Sequence, residues 1–242
     1  MADLDAFIQA YGEGFPYALD NEIILGWYPD RVLDRTPTKT ALLELGVGHG
    51  FTTEKFSRRF RRHVVVEGSP AVIQRFRETH PDCRAQIVEG RFETFQTTER
   101  FDAIVMGFVL EHVDAPQAIL RRFRQFLTPG GHCYVAVPNG ESLHRRLGHT
   151  AGLLDDMMAL GQGDFELGHQ RLYSVATLRQ ELDDAGYRIT NLEGIFLKPF
   201  TTGQLNSLQL SPSVLRALCQ VGVPYPELCC ALLAEAVVAD GG

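Results

Sequence analysis

The 242 residues, 45% hydrophobic, can bury a large core, and 23 Lys+Arg against 30 Asp+Glu leave a formal charge of -7 without the long basic blocks of a nucleic-acid-binding surface. The first residues, MADLDAFIQAYGEGF, carry early acids and no continuous apolar core, and no later stretch approaches the roughly 20 apolar residues of a membrane span, so neither a leader nor an anchor is expected. Five cysteines, Cys83, Cys133, Cys219, Cys229 and Cys230, show no C-x-x-C spacing; they argue against a disulfide framework and a zinc site, and a reducing cytoplasm fits best.

In chain order, residues 1–40 hold an aromatic-rich run, YGEGFPYALDNEIILGWYPDRV, closed by the turn-forming DRTPTKT. They are expected to form an N-terminal helical flap, with packing on the sheet edge as the plainer alternative. Short apolar, mostly β-branched runs follow at 41–45, 63–67, 85–89, 101–107 and 132–137, and read as buried strands. Helices are expected between most of them: TTEKFSRRFRR, PAVIQRFRETH opened by Ser69 and Pro70, and APQAILRRFRQFL closed by a TPGG turn. SRRFRRH reads as the solvated face of an amphipathic helix.

Residues 139–186 read as a helical insertion, ending in SVATLRQELDDAG capped by Ser174, and 187–197 and 232–238 as two closing strands. The alternation predicts an α/β fold, a doubly wound and mostly parallel seven-stranded sheet with right-handed crossovers. The expected organisation is one domain, 1–242, with a flap (1–40), a core (41–138), the insertion (139–186) and the end of the sheet (187–242). The apolar C-terminal run suits a homodimer interface or the end of the core equally.

The first strand leads into LLELGVGHG, with glycines at 46, 48 and 50 behind Glu44. In an open parallel sheet this loop borders the ligand, and glycines let the backbone approach it closely. A dinucleotide fingerprint G-x-G-x-x-G fails, because its third glycine position is Phe51. A carboxylate at Glu44 would repel a pyrophosphate and favour an ammonium group. Glu67, ending the second strand, can accept hydrogen bonds from ribose hydroxyls. A ribose and a cation together fit S-adenosylmethionine.

LLELGVGHG, VVVEGSP, IVEGRFETF, FDAIVMGFVLEHVDAP and FLTPGGHCYVAVPN, in that order, resemble the motif set of class I S-adenosylmethionine-dependent methyltransferases, in the branch that includes ubiquinone-biosynthesis-type and related small-molecule enzymes. The resemblance implies that Glu44, Gly46, Gly48, Thr52 and Thr53 line the methionyl part of the cofactor, which leaves as S-adenosylhomocysteine. Glu67 would bind the ribose, Gly68 and Ser69 would edge the adenosine, and the Phe92 backbone would face the adenine. Arg91 stands where the family often has Asp, so Glu93 or stacking would share that contact. Met106 and Gly107 would run beneath the sulfonium.

Methyl transfer needs an aligned acceptor and, for a hydroxyl, a base. The titratable candidates are His112 in LEHV, His144 and His149 in HRRLGH, and His169 with Tyr173 in GHQRLYS. Capping or packing is the plainer role for His112, a solvated basic helix for HRRLGH, and a capping-and-packing loop for GHQRLYS. Arg171 and Asn139 are candidate substrate contacts, and Tyr17, Trp27 and Tyr28 would close the flap over the cofactor as a lid whose removal leaves the core folded. The expected enzyme is metal-independent and acts on a small-molecule acceptor. A dinucleotide-dependent oxidoreductase and a non-catalytic cofactor-binding protein are the alternatives.

Overall fold

The computed structural model describes residues 17–239; residues 1–16 of the expected flap lie outside them. Seven strands form one sheet: β1 (Ala41–Leu45), β2 (Arg62–Glu67), β3 (Gln86–Glu89), β4 (Phe101–Gly107), β5 (Leu127–Pro138), β6 (Tyr187–Ile195) and β7 (Ala231–Val238). Their order is β3-β2-β1-β4-β5-β7-β6, parallel except for β7, which runs antiparallel to both neighbours. The strand order reverses between β1 and β4, so their carboxyl ends frame the ligand crevice.

Helices α1 (Ala18–Arg35), α2 (Phe51–Ser57), α3 (Pro70–Thr79), α4 (Pro116–Arg124), α5 (Leu143–Thr150), α6 (Gln162–Leu167), α7 (Val175–Asp184), α8 (Thr202–Leu208) and α9 (Pro212–Gly222) cover the faces. Ser69 caps α3 by accepting from the Val72 N–H at 3.1 Å, and Ser174 caps α7 by accepting from Thr177 at 3.2 Å. No helix among the described residues is long and apolar enough to cross a membrane. The five cysteines are free thiols.

Two expected boundaries move. Helix α2 stops at Ser57, and Arg62 already belongs to β2, where its guanidinium pairs with Glu99 at 2.7 Å. The TPGG segment lies inside β5: Phe101 pairs with Leu127 and Ala103 with His132, so Thr128–Gly131 form a long bulge, with Gly130 at φ +75°.

Helix α1 corrects the expectation of a removable lid. Tyr28, Val32 and Leu33 are buried against Leu42, Phe56, Val105 and Phe196 in one of the two main core clusters. Burial of side chains this size stabilises a fold by about 1.5–3 kcal/mol each. Arg31 donates two hydrogen bonds of 2.8 Å to Glu193 on β6, and Arg35 pairs with Glu235 on β7. Removing α1 opens the core. Trp27 takes the plainer of its two expected roles, packing toward α9 with Arg216 stacked 5.4 Å over its ring. The C-terminal run divides likewise: β7 is buried in the sheet, while α9 leaves Val214 and Val221 exposed.

Candidate active site

The loop from β1 to α2 takes a path that only glycine follows easily. Gly46, Gly48 and Gly50 have φ of +79°, +53° and +87°. A Cβ on Gly46 or Gly48 would meet no atom of the described residues within 4 Å, so among these residues both face open space. A Cβ on Gly50 would press on Phe76 and His80 at 2.8 Å, which makes it a packing glycine for α3. The cradle therefore lies over the first two. His49, between them and α2, stacks on Phe51 and lies 3.4 Å from Asn21 of α1, and burial lowers its imidazole to about 4.

The two acids behind this cradle have protein partners. Glu44 shares a sheet face with Leu42, because side chains alternate along a strand, and this face carries α2. One of its oxygens accepts from the Thr52 hydroxyl at 2.8 Å, and the other meets His63 Nε2 at 3.0 Å. It braces β1, β2 and α2 beneath the loop. Glu67 accepts the Val47 N–H at 3.0 Å and the Ser69 N–H at 2.8 Å, tying the glycine loop to the end of β2. Gly68 is half-buried beside it, and Ser69 is committed to its cap. Thr53 is fully buried with its hydroxyl unpartnered. After β3, where the resemblance puts the adenine, Arg91 and Phe92 are half-buried, the Phe92 ring packs on Phe123, and Glu93 is exposed.

Across the crevice, Met106 is wholly buried in the core and Gly107 ends β4. A Cβ on Gly107 would overlap the Tyr28 hydroxyl, so glycine is what lets α1 approach. Tyr28 lies beside Thr52 and Glu44, and burial holds its phenol far above the ordinary value. The next residue, Phe108, packs edge-on against Tyr28 with centroids 5.8 Å apart, and its φ of +57° is uncommon for a bulky side chain. This strained turn delivers Glu111 and His112 to the end of β4.

Glu111 is fully buried, and no other residue among those described gives a hydrogen bond to either carboxylate oxygen. Burial pushes its carboxyl up to about 7, against the opposing effects of His169, its own backbone N–H and Arg171. The His112 and His169 rings meet edge to face, 4.9 Å between centroids. His112 Nδ1 lies 3.3 Å from the Gly168 carbonyl and His169 Nδ1 3.0 Å from the Asp164 carboxylate. Burial, with His169 nearby, lowers His112 to about 4.

The other expected residues take different places. His144 stands beside Lys198 rather than in the His112–His169 pair; Ser142 Oγ is 3.1 Å from its Nδ1, and burial, then Lys198, lowers it to about 3. Lys198 is itself buried in an ion pair with Asp20, and both bond to Thr202. His149 is an exposed imidazole with Nδ1 2.9 Å from the Leu154 carbonyl. Tyr173 is buried in the core with its hydroxyl 3.4 Å from Glu181. Arg171 clamps the Leu110 and Val113 carbonyls, and Asn139 donates to the carbonyls of Pro226, Glu227 and Cys229. These three hold loops in shape through bonds that their spacing in sequence does not reveal. Tyr17 packs on Gly163 of α6, and burial, with Asp164, raises its phenol. Asp164 was missed; an acid three residues into α6 and five before His169 was its only signal.

Sheet order, open glycine cradle and the acid ending β2 together define the class I S-adenosylmethionine-dependent methyltransferases, and the chain carries that cofactor's binding domain. It belongs to the family described as a methyltransferase domain, whose profile matches residues 25–192. It is 23% identical over 195 residues to the ubiquinone biosynthesis O-methyltransferase of Aeromonas salmonicida (strain A449), covering 78% of this chain and 79% of that protein. It is 29% identical over 124 residues to a dTDP-3-amino-3,4,6-trideoxy-alpha-D-glucopyranose N,N-dimethyltransferase of Streptomyces venezuelae, covering half of each. The N-methyltransferase NodS of Bradyrhizobium japonicum WM9, solved with S-adenosyl-L-homocysteine, shares the fold at a TM-score of 0.61 and 16% identity, covering 97% of each chain. The oxidoreductase alternative falls with the family match and the missing third glycine.

Proposed function

We propose that the chain methylates a small-molecule acceptor, at oxygen in preference to nitrogen, in the cytoplasm and as one domain. The bound cofactor supplies an activated methyl group on a sulfonium. Gly46 and Gly48 leave room for its amino-acid head, Thr52 and Thr53 stand at the start of α2 beside it, and Glu67 reaches its ribose. Tyr28 and Phe108 exclude water from the crevice, which strengthens every electrostatic contact inside.

The observation that carries the acceptor reading is the Glu111–His112–His169 cluster at the carboxyl end of β4. A hydroxyl is a poor nucleophile until its proton leaves, and this cluster gathers two imidazoles and an unpartnered carboxylate where an acceptor would lie. An amine needs only to arrive neutral. Both kinds of acceptor occur among the named relatives, an O-methyltransferase and an N,N-dimethyltransferase.

A labelled-methyl screen over small phenols, carboxylic acids, amines and amino sugars tests the reading. Transfer to a phenolic or other hydroxyl acceptor, lost in His169→Ala with cofactor affinity retained, is the expected result. Transfer confined to amines and indifferent to His169 would remove the preference for oxygen. Cofactor binding without turnover on any acceptor would favour the non-catalytic alternative.

A further inference from the structure

The geometry points to a divalent metal site at Glu111, His112 and His169, one that the expectation of a metal-independent transfer did not foresee. One potential ligand atom from each residue lies within 4.8 Å of the other two. Metal–ligand bonds of about 2.0–2.2 Å put ligand atoms roughly 3–3.5 Å apart, so modest side-chain movement closes the set on an ion.

Three observations converge. First, Glu111 is fully buried, and no other described residue donates a hydrogen bond to either of its oxygens. The Arg171 guanidinium nearby gives its bonds to the Leu110 and Val113 carbonyls and to Gln170 instead. Ionised, Glu111 is a buried charge to which no other described residue donates a hydrogen bond, a costly state that a cation resolves.

Second, the histidines are already oriented as ligands. A carbonyl can only accept, so His112 Nδ1 must be the donor to Gly168, and a carboxylate fixes His169 in the same way through Asp164. Each neutral ring then keeps a lone pair on Nε2. An imidazole held by a carbonyl or carboxylate on its far nitrogen is the usual second shell of a metal-bound histidine. Third, the ligands come from two segments, the turn after β4 and the loop between α6 and α7, so an ion would fasten the insertion to the sheet beside the cofactor crevice.

Two imidazoles and one carboxylate, without a thiolate, suit zinc or a neighbouring first-row divalent ion better than magnesium or calcium. Three protein ligands leave at least one position for an acceptor oxygen. This step rests on the methyltransferase reading above. An acceptor hydroxyl on the ion would give its proton to solvent as it binds, because bound metal lowers its pKa, and would then meet the methyl group in the water-poor crevice. The freed oxygen pair forms the bond to the methyl carbon as the carbon–sulfur bond breaks, and that electron pair stays on sulfur. The ring nitrogens then act as ligands rather than as the base.

Titrating chelator-treated full-length protein with cobalt(II) tests the site without turnover. Expected are visible absorption bands saturating at one equivalent, lost in both Glu111→Gln and His169→Ala, while calorimetric affinity for S-adenosylhomocysteine stays within about twofold as the check that both variants fold. Bands that are absent, or that persist in both variants as surface binding does, overturn the site. Transfer to the best hydroxyl acceptor should fall at least about tenfold with chelator and return with zinc or cobalt; full activity in chelator overturns the inference and leaves the methyltransferase reading standing. Cobalt bound as expected, with no acceptor methylated, sinks that reading instead.

Discussion

The two halves of the crevice treat their buried acids in opposite ways. On the cofactor side Glu44 meets Thr52 and His63, and Glu67 accepts two backbone N–H groups. On the other side, at the end of β4, Glu111 is more deeply buried than either, and no other described residue donates to it. The difference teaches that the acids of the first half are held by the protein's own donors beneath the glycine loop, whereas the second half keeps a buried carboxylate to which no other described residue donates.

Removing the acids separates the two cases. Glu44→Leu strands His63 and Thr52 and should cost about 3–4 kcal/mol of stability in denaturant unfolding. Glu111→Leu in chelator-treated protein should cost nothing or gain about 1 kcal/mol, since an apolar side chain of similar size replaces an unsatisfied one. Equal losses in the two variants would erase the contrast. Gly46→Val comes next: a β-branched side chain at φ +79°, projecting into the cradle, should weaken S-adenosylhomocysteine binding by about 100-fold or more by calorimetry. Retained affinity would mean that the cradle lies elsewhere.

The ion pair that seats α1 predicts a pH signature outside the crevice. Burial alone would raise the Glu193 carboxyl, but the Arg31 hydrogen bonds, with Asn191 and Arg35, leave it below its ordinary value of 4.5. A depressed folded-state pKa gives stability that is present above the unfolded value and lost as pH falls through the folded one. The stability gap between wild type and Glu193→Gln should therefore be flat above about pH 5, near 1.5–3 kcal/mol, and close below pH 4. A gap that widens in acid contradicts the pairing. The smallest effect belongs to His149→Ala, an exposed change expected to move stability by no more than about 0.5 kcal/mol and transfer not at all; a large loss of transfer would extend the acceptor site along α5.

The cofactor half was the more legible in sequence because its determinants are local. The runs at 41–45, 63–67 and 101–107 announce buried strands, and the glycine spacing announces a loop of positive φ. The period-2 pairing of Glu44 with Leu42 already implied a carboxylate turned toward α2, a cue outweighed by its nearness to the loop. TPGG looked like a turn because proline and two glycines suit one, yet pairing to Phe101 keeps it in β5. On the acceptor side GHQRLYS and LEHV were both singled out, but no spacing says that His112 and His169, 57 residues apart, share one site with Glu111. That Arg171, Asn139 and Tyr173 hold loops is likewise a property of their tertiary partners.

The pairing of α1 with β6 and β7 joins the two ends of the chain: Arg31 lies 162 residues from Glu193, and Arg35 lies 200 from Glu235. Contacts of such separation form late, after the loops between them have closed. During synthesis the glycine loop and β1 through β5 are made first, but the ion pairs that fasten α1, and with it Tyr28 over Gly107, form only when β6 and β7 arrive. The seating of Tyr28 over Gly107 is therefore tied to β6 and β7, and products cut short before β6 should lack that wall of the crevice.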